Sequence, residues 1–251
     1  MSTPPAPVPP ARAGSAAEAP GQALAASPRP VPARPSPRTY LPAAAGVAYL
    51  AAWAAGLAVW PVNLALNATA AQVAASYRAN PAEAAAQYLL TEGLAGVLLG
   101  VVLAFVLLPH VRGRMAARPA GAALLGAIAV ATSLAQCVIG LSLTAAATSH
   151  DIARCGELST LVTRLDGVKM LAIAGAAAGI AAARTPGPLI PGWLRAATLP
   201  LGLALIASGY AYLTLSSTLA WTAYISGPLL LVWVTGTGIA ITIRQRRGSR
   251  T

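Results

Sequence analysis

Charge is what this chain has least of. Only 9% of its residues are Asp, Glu, Lys or Arg, against about 25% in soluble domains. The acids number six, and Lys169 is the only lysine. So little charge cannot keep the surface of a soluble domain hydrated. With 57% hydrophobic residues and a mean hydropathy of +0.66, the composition places the chain in the membrane class.

Other scarcities exclude chemistry. The two cysteines, Cys137 and Cys155, match no metal or redox spacing. Cys137 falls inside a hydrophobic run and Cys155 in a polar connection, so no disulfide is expected between them. An impermeant maleimide is expected to reach Cys155 and spare Cys137. The only histidines, His110 and His150, sit at segment ends and offer no paired axial ligands for a haem at depth. No G-x-S-x-G, H-E-x-x-H or Walker loop occurs. The GTG at 236–238 lacks the third glycine and the preceding strand of a dinucleotide loop. Glu92 is the only acid inside an apolar run, apart from Asp166 at the edge of one, so paired carboxylates for hydrolysis at depth are missing. No catalytic residue, metal or cofactor is expected, and the reading leans away from an enzyme.

The formal net charge of +11 would suggest nucleic acid if it formed one basic patch. Instead the arginines punctuate hydrophobic runs, which is a topology signal. The Ala/Arg/Pro-rich usage fits a GC-rich bacterial genome.

What is present reads as an all-α polytopic membrane protein. Residues 1–38 are rich in Pro, Ala and Ser, with PxxP patterns and no periodic apolar face. Such a segment buries too little surface to offset its chain entropy, so a disordered cytoplasmic tail with polyproline II character is expected. The transmembrane domain covers 39–245, and 246–251 forms a short basic tail. Six apolar segments fall at about 41–61, 88–108, 120–146, 167–184, 196–214 and 220–243, each near the ~20 residues a bilayer core requires. Prolines 186, 188 and 191 separate the fourth from the fifth, and Pro228 is expected to kink the sixth.

Thirteen of the seventeen basic residues lie in the two tails and in the second and fourth connections. Cytoplasmic segments keep Lys and Arg. Both termini are therefore expected in the cytoplasm, with the first, third and fifth connections outside. Trp60, Tyr88, Tyr210, Tyr212, Trp221 and Tyr224 near the outer ends, with Tyr40 and Trp193 near the inner ends, fit an interfacial belt; Trp233 reads as packing. In the outer connections, Thr69 and Gln72 have capping-box spacing for a helix over 69–79. Asn80-Pro81 then supplies an N-cap and first helical position, so the second helix should begin near 81. Leu158, Leu161, Val162 and Leu165 suggest a separate short helix lying on the bundle.

A depth ruler of 1.5 Å per residue puts Glu92 about 6 Å, Gln136 about 5 Å and Lys169 about 7 Å below the outer edge of the hydrocarbon. Three polar groups from three helices share one level. Gly96 and Gly100, like Gly175 and Gly179, have the GxxxG spacing that lets helices approach. Two readings stand side by side. In one, Glu92 and Lys169 pair, with Gln136 beside them and Asp166 as a rival partner for Lys169, and the trio forms a substrate-binding site. In the other, the pair is purely structural or each charge snorkels to the interface.

The stretches CGELSTLVTRLDGVKMLAIAG (155–175) and PLIPGWLRAATLPLGLALIASGYAYL (188–213) resemble a broad bacterial family of six-span integral membrane proteins of unknown function. In that family a P-x-W-L connection, here Pro191–Gly192–Trp193–Leu194, joins two late helices and a Gly-rich helix follows. The resemblance covers residues 40–245. It implies the six-helix fold and carries no activity or functional residues. The expected partners are the lipid bilayer and a second copy or other membrane subunit. The function this supports is that of a non-enzymatic accessory or regulatory membrane protein, with a transport subunit as the alternative.

The orientation is testable by fusing reporters after Thr251. Green fluorescent protein is expected to fluoresce and alkaline phosphatase to stay inactive. An active phosphatase there overturns the assignment.

Overall fold

The computed structural model describes residues 37–60, 64–111, 117–183 and 189–248. The PxxP motifs, Arg112, Arg114, Arg184, Pro186 and Pro188 lie outside the described residues. The described residues are almost wholly helical and include no strand. A 3₁₀ turn at Pro37–Tyr40 leads into α1 (Leu41–Val59), so residues 37 and 38 belong to structure rather than to the tail. Next come α2 (Ala70–Ala79), α3 (Pro81–Tyr88), a π-helical segment Leu89–Leu94, and α4 (Ala95–Val111). Then follow α5 (Ala117–Thr148), α6 (Ile152–Ala182), α7 (Gly192–Thr214), a 3₁₀ turn at Ser217–Thr222, and α8 (Ala223–Gly248). Arg246 and Arg247 lie in the last turn of α8, not in a separate tail.

Six of these stretches are long and apolar enough to cross a membrane, and the protein is a multi-pass membrane protein. Helices adjacent in sequence pack together, from α1 against α4 through α5, α6 and α7, and α8 returns to α1. Six crossings bring the start of α1 and the end of α8 to one end of the bundle, the terminal end. There the Ala43 amide donates to Thr242 Oγ1 at 3.1 Å and Arg246 lies over the Tyr40 ring.

Small and hydroxylated residues set the packing, as expected where lipid removes the hydrophobic drive between helices. Thr235 Oγ1 donates to the Gly46 carbonyl at 2.9 Å, joining α1 to α8. Trp233 is buried and its Nε1 donates to Thr198 Oγ1 at 3.0 Å, a packing role. Ser208 and Ser226 share a hydrogen bond at 3.1 Å between α7 and α8. Both Pro200 and Pro228 sit inside continuing helices.

The other end of the bundle, the far end, carries a folded cap. At 31 residues, α6 is about 46 Å long, well beyond the ~30 Å hydrocarbon core. Its first turns and the end of α5 overhang, and α2 and α3 pack against them. The expected short helix at 158–165 is therefore the first half of α6. Asp151, Arg154, Glu157 and Arg164 lower the hydropathy there, but polarity does not break a helix, and no proline intervenes. The connection shrinks to Ser149–Asp151, where His150 adopts a left-handed conformation (φ 65°) and Asp151 caps the Arg154 amide at 3.0 Å.

The Thr69–Gln72 capping box is present, with the Thr69 amide donating to Gln72 Oε1 at 2.9 Å. Asn80 makes no side-chain cap, though Pro81 does open α3. Trp60, Val73, Tyr77, Leu143 and Cys155 form the core of the cap. Trp60 is thus packed, as a T-shaped pair with Tyr77, rather than part of an interfacial belt. Tyr210, Trp221 and Tyr224 are exposed as a belt requires. Burial pushes the Tyr77 phenol up, so it stays protonated and keeps its 2.7 Å hydrogen bond with Tyr88 at neutral pH. Cys155 is fully buried, so a maleimide will not reach it in the folded protein. Ala153, exposed two residues earlier, is the place for a topology probe.

α6 and α7 approach each other closely. A Cβ on Gly167 would stand 2.7 Å from the Gly209 carbonyl oxygen and 2.9 Å from the Leu213 amide, backbone that cannot step aside. Overpacking of this kind costs about 1–3 kcal/mol. Gly167→Ala is expected to lower the thermal midpoint in detergent by several degrees. Gly121→Ala, which meets nothing within 4 Å, is expected to leave it unchanged or raise it.

Candidate functional site

Glu92 owes its position to an irregular turn. The Ala95 amide donates to the Leu90 carbonyl, five residues back, and the widened turn places both Thr91 and Glu92 inside the bundle. Thr91 Oγ1 donates to the Gln87 carbonyl at 2.9 Å, supporting the turn from within. Single π-turns inside α-helices occur often at functional sites.

Facing this turn, Lys169 points inward from α6. Its Nζ donates to Glu92 Oε1 at 2.8 Å, to Glu92 Oε2 at 2.7 Å and to Asp166 Oδ1 at 2.7 Å. Three oxygens meet an ammonium that has three N–H donors, so none is left for a further ligand. The Glu92 and Lys169 side chains are 9% and 8% exposed, so neither snorkels. Asp166 is not a rival to Glu92 but a second acceptor, with its side chain 22% exposed. Two carboxylates therefore surround one ammonium.

Gln136 does not touch the ion pair by any hydrogen bond. Its Nε2 donates to the Val162 carbonyl at 3.1 Å, stapling α5 to α6, while its buried Oε1 has no partner among the described residues. The α5 group that meets Glu92 is Ser133, one turn earlier, whose Oγ donates to Glu92 Oε2 at 2.7 Å and approaches the Glu92 carbonyl at 3.1 Å. A Cβ on Gly96 would stand 2.9 Å from Ser133 Oγ. The missing side chain at Gly96 therefore lets α5 come near enough for the contact. Ser133 was findable in the sequence, because it shares the small-residue face of Gln136 and lies opposite the Gly96–Gly100 pair.

Beside the cluster is a cavity of about 20 Å³, lined by Tyr49, Trp53, Gly96, Ser133, Lys169 and Leu230 among others. That is room for about one water molecule. Among the described residues, no group of three or more His, Cys, Asp or Glu is arranged to hold a metal ion.

Removing one partner of a buried ion pair costs about 3–5 kcal/mol. Lys169→Met leaves two carboxylates without a cation and is expected to be the most destabilising change. Glu92→Gln leaves Lys169 paired with Asp166 and is expected to cost less, with Asp166→Asn least of all. Thermal midpoints of the purified variants check the order. A Glu92→Gln, Lys169→Met double variant should recover part of the loss of Lys169→Met alone, and additive losses would remove the coupling. No protein-family model, curated protein or solved structure matches this chain, so the role of the cluster rests on its own geometry.

Proposed function

We propose that this chain is a non-enzymatic accessory or regulatory protein of the plasma membrane, with both termini in the cytoplasm. It belongs, on this reading, with the six-span bacterial membrane proteins that its later helices resemble. Glu92, Lys169 and Asp166 act as a clamp that fixes the second span to the fourth. One observation carries the reading. The cavity beside the ion cluster is about 20 Å³, whereas small-molecule sites run to about 300–1,000 Å³. With every Lys169 donor spent on protein oxygens, the geometry suits holding helices together better than holding a solute.

A second reading has its own support. The π-turn at Glu92 and the surplus carboxylate favour a transport subunit whose polar site, including Glu92, Gln136 and Lys169, opens toward the far end through Asp166. Glu92→Gln separates the two. The clamp reading expects a lower folded yield and thermal midpoint, with growth phenotypes tracking the amount of folded protein. A variant that folds at the normal level but loses uptake of a solute overturns the clamp in favour of transport.

A further inference from the structure

The overhanging half of α6 carries an open groove. It is lined by Gly156, Glu157, Thr160, Leu161 and Arg164 and has a volume of about 540 Å³, within the range of small-molecule sites, about 300–1,000 Å³. All of these residues belong to α6. At the Gly156 end the start of α2 leans in, and a Cβ on Gly156 would stand 2.9 Å from the Ala70 Cβ. Thr160 donates its hydroxyl hydrogen to the Gly156 carbonyl at 2.9 Å, which leaves its oxygen as an acceptor. Glu157, Leu161 and Arg164 are exposed. Arg154, one turn further out, does not line the groove.

The groove stands at a defined height. Counted at 1.5 Å per residue from the end of α6 at Ala182, a hydrocarbon core of about 30 Å reaches about residue 163. Arg164 therefore sits at the edge of the hydrocarbon, with Glu157 about 10 Å further out. Below Arg164, Val168 and Leu171 are exposed, at positions that share its side of the helix. From the hydrocarbon outward this face reads apolar, cationic, anionic. A phosphatidylethanolamine molecule reads apolar, anionic, cationic, as acyl chains, phosphate and primary ammonium. The two orders are complementary, and they occur at the same height. Long side chains at both charged positions can lean toward one headgroup while their stems lie along the helix.

We propose that this groove binds a zwitterionic phospholipid with a primary-ammonium headgroup, of the phosphatidylethanolamine type. Arg164 takes the phosphate, Glu157 and the Thr160 oxygen take the ammonium, and acyl chains lie along Val168 and Leu171. A phosphatidylcholine headgroup offers Glu157 no N–H, and a phosphatidylglycerol headgroup brings it no cation. The inference stands apart from the accessory and transport readings, because the contacts of the ion cluster are made by Glu92, Ser133, Asp166 and Lys169.

The test uses the full chain in maltoside micelles and a phosphatidylethanolamine carrying a fluorophore on one acyl chain. Saturable binding is expected, competed by unlabelled phosphatidylethanolamine at a several-fold lower concentration than by phosphatidylcholine or phosphatidylglycerol. Arg164→Gln is expected to weaken binding by up to about fivefold. Glu157→Gln is expected to erase the preference for phosphatidylethanolamine over phosphatidylglycerol. Glu157→Arg with Arg164→Glu keeps the net charge but reverses its order, and is expected to abolish saturable binding. Glu83→Gln, on α3 and outside the groove, is expected to leave it unchanged. Both groove charges are exposed, so the variants should keep the wild-type thermal midpoint, which separates a binding loss from misfolding. Equal competition by the three lipids, or normal binding by the charge-reversed variant, overturns the site. Displacement of the probe by free phosphoethanolamine at matched concentration would make the groove a site for a soluble zwitterion and would also overturn the lipid assignment.

Discussion

Everything in this bundle is arranged around the cost of keeping three charges where water is scarce. An isolated carboxylate or ammonium at the centre of a membrane helix costs about 2.5–3.5 kcal/mol even on the lenient insertion scale. Here Lys169 satisfies that cost with three oxygens at 2.7–2.8 Å, and Glu92 adds the Ser133 hydroxyl. The contacts require three helices to be in register at once. The π-turn supplies Glu92, the absent side chain at Gly96 admits α5, and α6 supplies both Lys169 and Asp166. A slip of one turn in any of them would strand a charge. The cluster therefore specifies the relative heights of the second, third and fourth spans more sharply than apolar packing does.

Elsewhere the bundle uses weaker devices in greater number. Hydroxyls of Thr198, Ser208, Ser226, Thr235 and Thr242 link neighbouring helices, and glycines bring backbones together at Gly167 and Gly209. These contacts are short in reach, and the cavity beside Lys169 and Ser133 is about 20 Å³. The two ends of the molecule then diverge. The overhanging halves of α5 and α6, with α2 and α3, form a capped end with its own aromatic core. The terminal end is held by the α1–α8 pairing and gathers Arg38, Arg244, Arg246 and Arg247.

Much of the fold was legible in the sequence because membrane insertion reads one-dimensional properties. Length and hydropathy of the apolar runs fixed the six spans. The Thr69–Gln72 spacing fixed the start of α2, and Pro81 that of α3. What misled was polarity read as a helix end. Arg154, Glu157 and Arg164 made residues 152–166 look like a connection, yet a helix that leaves the bilayer continues as long as its backbone bonds and an apolar partner allow. Trp60 looked interfacial because the spacing that marks α2 does not tell that α2 folds back over it.

For the buried cluster, the sequence alone suggested similar heights for Glu92, Gln136 and Lys169, because height in a helix is counted residue by residue from the point where the apolar run ends. Only the tertiary structure decided which of them meet. It paired Glu92 with Lys169, added Asp166 and Ser133, and turned Gln136 to the α6 backbone. The same holds at the terminal end, where the chain supplies the arginines and the return of α8 to α1 gathers them. Depth is a property of a single helix, whereas contact depends on the rotation of each helix and on the close approaches that small residues permit.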